Sequence, residues 1–353
     1  MKKDILGLKY FGVSYLVTIV GLGLAVWWGA STEQGWIHAL TIVSLLTVLE
    51  VCLSFDNAVV NAAVLKDMSA KWQQRFLTWG ILIAVFGVRF IFPLLIVSLA
   101  TGLGFLEVSH LALEQPEEYS AHVLASNIDI AAFGGMFLMM VFLHFVIDAS
   151  KDTHWIGPIE RKLAKLGKLE AFEVVLAMTV LMSVSVYLPE AERLHALFAG
   201  SIGVVLYVFI KGLTGLMNVE EMGDATAKQV GYAGFMGFMY LQFLDASFSL
   251  DGVIGAFAIS KDVVIIMLGL GIGAMFVRSM TIFLVRKGTL DEYIYLEHGA
   301  HYGIGALACI MLTSMFEHVP EVITGFIGLS FILLSLWSSV RYNKGQKSNS
   351  DNQ

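Results

Sequence analysis

The sequence predicts an all-α, polytopic transmembrane bundle of about ten spans, built on an inverted repeat of three-helix units. Three observations predict it. Hydrophobic residues make up 57% of the chain and charged residues 14%, with a mean hydropathy of +0.75, whereas a soluble domain needs about a quarter of its residues charged. Apolar runs near the length that crosses a bilayer recur along the whole chain. An acidic motif carried by one of these runs returns in the second half.

Residues 1–36 form an amino-terminal anchor with a span at 11–30. It follows Lys2, Lys3 and Lys9 and ends on Trp27 and Trp28, as interfacial aromatics do, and no small-residue cleavage site follows; a retained helix is expected rather than a signal peptide. Residues 37–149 form repeat A, with spans at 38–65, 76–103 and 128–148. Between its last two spans, residues 104–127 carry Glu107, Glu114, Glu117 and Glu118 without Lys or Arg and read as an external loop. Residues 150–229 hold a basic cytoplasmic loop, with a surface amphipathic helix expected within 149–170, and two connecting spans at 171–188 and 194–213. Repeat B, residues 230–317, has spans at 230–259, 262–285 and 300–317. Residues 318–353 add a last span at 320–340 and a polar tail from Lys344 that is expected to be disordered.

The basic residues test this topology independently. With both termini cytoplasmic, 18 of the 22 Lys and Arg fall on the inner side and only Arg193 and Lys261 on the outer side. The remaining two, Arg89 and Arg278, lie inside spans.

Residues 49–67, LEVCLSFDNAVVNAAVLKD, align without a gap on residues 244–262, LDASFSLDGVIGAFAISKD. Glu50 meets Asp245, Ser54 meets Ser249, and Asp56 meets Asp251. On the following spans Gly80 and Arg89 match Gly269 and Arg278. The two copies start on spans two and seven, an odd number of crossings apart, so they run in opposite directions. Inverted repeats place a transporter's substrate near mid-membrane between the copies.

Glu50, Asp56, Arg89, Asp245, Asp251 and Arg278 thus recur in matched places within apolar spans. A charge at mid-bilayer costs at least a few kcal/mol unless it faces protein or a water-filled path. Four carboxylates against two guanidinium groups leave two negative charges, which one divalent cation or two protons would balance. Carboxylates together with Ser54, Asn57 and Ser249 make an oxygen set suited to Mn²⁺, Mg²⁺ or Ca²⁺, whereas zinc or copper would call for His or Cys. On a straight helix Glu50, Ser54 and Asn57 share a face and Asp56 lies about 120° away. A break near Ser54 would let Asp56 join them. Both motif spans exceed what a bilayer requires, so a break or steep tilt is expected in each.

Other chemistry is weakly represented. His144 reads as hydrogen-bonded core, His298 and His301 with Glu297 as an inner-face cap, and Glu220, Glu221 and Asp224 as solvated loop charges. Cys52 and Cys309 read as core residues and form no disulfide framework. No nucleophile or general-base constellation is legible, so neither an enzyme nor a cofactor is expected. No basic patch suggests nucleic acid. The expected partners are the lipid bilayer, a divalent cation and protons; assembly into a homo-oligomer stays open.

At Glu50-x3-Ser54-x-Asp56-Asn57 and Asp245-x3-Ser249-x-Asp251 the sequence resembles the TerC family of integral membrane proteins, named for tellurium resistance, within the lysine-exporter superfamily. FGGMFLMM at 133–140 and HWIGPIE at 154–160 are similar to a bacterial branch of it. The resemblance implies a multi-pass protein of the bacterial inner membrane that exports a divalent cation, Mn²⁺ first among the candidates, in exchange for protons. It assigns Glu50, Asp56, Asn57, Asp245 and Asp251 to the ion, with Ser54 and Ser249 completing the site and Arg89 and Arg278 compensating charge when it is empty. One departure stands out: Gly252 occupies a position where many relatives carry Ser or Asn, so one ligand is missing. The alternative is a membrane scaffold that assists metal loading or insertion of exported proteins, with the acids serving packing and tellurite or stress resistance as the outcome.

Overall fold

The computed structural model describes residues 8–32, 35–149, 151, 153–167, 171–216, 227–317 and 319–350. Among these the chain is helical and contains no strand. The helices are α1 (Leu8–Ser31), α2 (Trp36–Leu53), α3 (Phe55–Lys66), α4 (Ala70–Leu82), a π-helical stretch (Ile83–Ile91) leading into α5 (Phe92–Thr101), α6 (Phe105–Glu114), α7 (Pro116–Ala125) and α8 (Asn127–Ile147). They continue with α9 (Gly157–Leu166), α10 (Phe172–Ser185), α11 (Glu190–Leu216), α12 (Ala227–Ile259), α13 (Val263–Lys287), α14 (Thr289–Glu292), α15 (Leu296–Thr313) and α16 (Glu321–Ser350).

Six helices among the described residues, α1, α2, α8, α11, α13 and α16, are long and apolar enough to cross a membrane. Their outward faces carry large apolar side chains such as Ile19, Phe198 and Trp337, all more than half exposed. Such surfaces are at home against acyl chains rather than water. The interior is built around α8, which packs on α10, α11, α12 and α15, and around α13, which packs on α1, α2 and α3. The chain is a polytopic helical membrane protein.

The repeat reappears in the packing as reciprocal contacts. Thr47 on α2 donates to the Gly269 carbonyl on α13 at 3.1 Å. Its counterpart Gln242 on α12 stands at Gly80 on α4, where a methyl group would lie 3.0 Å from the Gln242 amide and 2.8 Å from Arg278. Each copy touches the other through the same pair of positions.

Three expectations are corrected. The stretch read as an external loop at 104–127 is largely helical: the Gly104 N–H donates to Glu107 at 2.9 Å, Pro116 opens α7, and Val108, Tyr119 and Val123 are buried against α12 and α13. The tail is helical to Ser350; Asn343 donates to the Glu292 carbonyl at 2.8 Å and so docks that part of α16 onto α14. Cys52 and Cys309 are exposed rather than core. Of the break or steep tilt expected in each motif helix, the break occurs in the first. At Ser54, with φ −102° and ψ 18°, the chain leaves α2 and enters α3. There Asp56 accepts from the Asn57 backbone N–H at 2.9 Å and Ser54 donates to Glu50 at 3.1 Å, side-chain bonds that compete with the regular helix ladder. In α12 the matching Ser249 hydroxyl is buried without a partner, and the 33 residues run on unbroken for about 50 Å. The surface helix expected at 149–170 is α9.

Candidate functional site

Ser54, the junction of α2 and α3, sits beside a cavity lined by Glu50, Ser54 and Asp56 from the first motif, Phe248 and Gly252 from α12, Gly303 and Leu307 from α15, and Thr324 and Gly328 from α16. The break does what the helical arithmetic requires: it turns Asp56 into the space that Glu50 and Ser54 already face, while Asn57 turns away. Glu50, Ser54 and Asp56 are each at least nine-tenths buried.

Three glycines wall this cavity against its two carboxylates. A methyl group at Gly252 would lie 3.3 Å from Glu50 Oε2, one at Gly303 3.2 Å from Asp56 Oδ2, and one at Gly328 3.4 Å from the same oxygen. Backbone rather than side chain faces the acids, which leaves room for a small ligand and brings peptide groups close to it.

The arginines sort the charges. Arg89, in the π-helical stretch, pairs with Glu50 and donates to the Ala84 carbonyl at 2.8 Å; π-helical segments occur often at functional positions. Arg278 pairs with Asp245 at 3.5 Å, donates to the Phe76 carbonyl at 3.1 Å and lies over the Phe76 ring. Each arginine therefore serves the acid of its own repeat. Asp56 has no cationic partner among the described residues; its bond is to the Asn57 backbone, at the N-terminal turn of α3, where the helix dipole favours an anion.

The sequence-predicted set thus divides. Glu50, Ser54 and Asp56 share the cavity. Asn57 and Asp245 bond to each other at 3.0 Å. Ser249 is buried with its hydroxyl unpartnered. Asp251 lies on α12 beside Gly252, and its side chain is outside the described residues, as are Glu220, Glu221 and Asp224. No group of three or more His, Cys, Asp or Glu side chains among the described residues comes together as a metal cage. Two carboxylates with a hydroxyl, backbone oxygens and retained water remain a common environment for a hard divalent ion.

Two further polar clusters emerge. Glu160 on α9 is fully buried and accepts from the Ile156 N–H at 2.9 Å, Lys151 at 3.2 Å and Tyr302 at 3.2 Å, with His298 at 3.6 Å. It ties the loop ahead of α9 to α15, one residue from Gly303 of the cavity. Burial alone would push this carboxyl up, but the Ile156 amide and the neighbouring Lys151 and His298 hold it below its ordinary range. His144 is not core: it is partly exposed and meets Glu173 at 3.1 Å and Lys211 at 2.9 Å. Sequence reasoning missed Thr324, Gly303 and Gly328 because α15 and α16 carry no ionisable residue at the cavity; it missed Gln242, although an amide inside an apolar helix was a signal.

No curated protein and no solved structure matches the chain. A family model does, over more than half of its length, from the first turn of α3 into α16 and so across most of the bundle that frames the cavity. From residue 55 to residue 346 the chain fits the family described as protein of unknown function DUF475, and it belongs to that family.

Proposed function

We propose that this protein is a secondary transporter that exports a divalent metal cation, Mn²⁺ first among the candidates, in exchange for protons across a bacterial inner membrane with both termini cytoplasmic. The observation that carries the reading is Asp56, a carboxylate buried within a membrane bundle, facing a cavity, without a cation among the described residues to balance it. Unbalanced charge in such a place is costly and marks an ion pathway. Glu50, Asp56 and the Ser54 hydroxyl supply hard oxygen ligands, and retained water would complete the shell. Arg89 neutralises Glu50 in the absence of the ion, and an arriving cation competes with it for the same carboxylate. A carboxylate that gives up a metal ion in this setting is neutralised most cheaply by a proton, which supports proton coupling with the stoichiometry left to the flux measurement.

The test is flux. Protein reconstituted into liposomes loaded with a Mn²⁺-sensitive dye is expected to move Mn²⁺ when a pH gradient is imposed, and Asp56→Asn is expected to abolish that movement. Flux equal to that of empty liposomes, or an Asp56→Asn variant that transports normally, would overturn the proposal.

A further inference from the structure

The two repeats treat the matched acids Glu50 and Asp245 differently, and one difference lies at a pair of matched positions beside them. Asn57 and Gly252 are counterparts in the repeat alignment, as are Glu50 and Asp245. In one half Asn57 reaches across to the second motif and donates to Asp245 at 3.0 Å. In the other half the backbone of Gly252 stands beside Glu50, and a methyl group there would meet only Glu50 Oε2, at 3.3 Å. The side chain that bonds Asp245 has no counterpart in the Glu50 half, where the cavity has Gly252 in its wall.

We infer that the protein holds one cation per chain, in the half built from the first motif, and that Gly252 determines this by offering Glu50 no donor where its counterpart Asn57 bonds Asp245 in the other half. This rests on the transport reading and narrows it. Asp245, engaged by Asn57 and by Arg278 at 3.5 Å, becomes a structural acid that holds the two repeats together. A side chain at position 252 able to donate to Glu50 would reproduce the arrangement at Asp245, satisfy the carboxylate internally and exclude the ion. The cavity beside Gly252 is the space such a side chain would enter.

The experiment titrates Mn²⁺ into the purified full chain in detergent micelles, reading stoichiometry by calorimetry and protection by melting temperature, for wild type, Gly252→Asn, Gly252→Ser and Asp56→Asn. Wild type is expected to bind one Mn²⁺ per chain and to melt higher with the ion. Gly252→Asn is expected to keep the ion-free melting temperature and to lose about tenfold or more in affinity, with Gly252→Ser intermediate. Two ions per wild-type chain, a Gly252→Asn variant that binds like wild type, or failure of both position-252 variants to fold would overturn the inference. Loss of binding in Asp56→Asn with normal binding in Gly252→Asn would sink this inference alone. A wild-type chain that binds none of Mn²⁺, Mg²⁺ or Ca²⁺ would remove the transport reading as well.

Discussion

The side-chain amide of Asn57 donates to Asp245 Oδ1 at 3.0 Å. This bond joins the helix of the first acidic motif to that of the second, deep in the bundle, where both residues are almost fully buried. Removing the donor leaves a buried carboxylate short of a partner. Asn57→Ala is therefore expected to destabilise the protein by about 1–3 kcal/mol, read by denaturant unfolding in micelles.

Arg89 and Glu50 form a pair that is expected to be costly to break on one side only. Arg89→Gln alone should destabilise by about 3–5 kcal/mol, because it strands Glu50 without its counter-charge. Adding Glu50→Gln should restore most of that loss without restoring transport. A double-mutant cycle on unfolding free energies checks the first statement and liposome flux the second.

Gly303 and Gly328 face Asp56 closely enough that one methyl group matters. Gly303→Ala places a carbon 3.2 Å from Asp56 Oδ2, and its expected effect is a drop of about tenfold in Mn²⁺ flux, with a stability change of roughly 1–3 kcal/mol or less. Flux and melting temperature measured on the same preparation separate the two effects.

Glu160 predicts a pH dependence. Its carboxyl is buried, yet it is held below the ordinary range by the Ile156 amide, Lys151 and His298. A carboxyl depressed in the folded state contributes stability that is fully present above its unfolded pKa and is lost as pH falls through the lower folded value. Thermal stability should accordingly fall as pH drops below about 4.3, and Glu160→Gln should be less stable than wild type at pH 7 and flatter in that acidic window. Melting temperatures across pH 3 to 7 check this.

Much of the fold and part of the site were legible in the sequence, for reasons visible in particular residues. The break at Ser54 was legible because Ser, Asp and Asn crowd one turn of an apolar helix and offer side-chain bonds in place of backbone ones. In α12 Gly252 stands in place of the Asn, Ser249 makes no such bond and the helix continues. The repeat marked Arg89 and Arg278 as charge-compensating, but which acid each one serves is seen only in the packing. What the sequence hid was the division of the motif: Asn57 serves Asp245 rather than the cavity, a fact of packing between helices far apart in the chain. Gly303 and Gly328 were hidden because a glycine facing a carboxylate looks in sequence like any other helix-packing glycine. In α6 and α7 a run of glutamates drew the reading toward a loop and masked the caps at Gly104 and Pro116.

The central claim is that the cation sits between Glu50 and Asp56. Diffraction from crystals soaked in Mn²⁺, recorded at the manganese absorption edge, tests it most directly. The account predicts one anomalous peak within the bundle, in contact with both carboxylates; a peak at Asp245 instead, or none inside the bundle at saturating Mn²⁺, would contradict it.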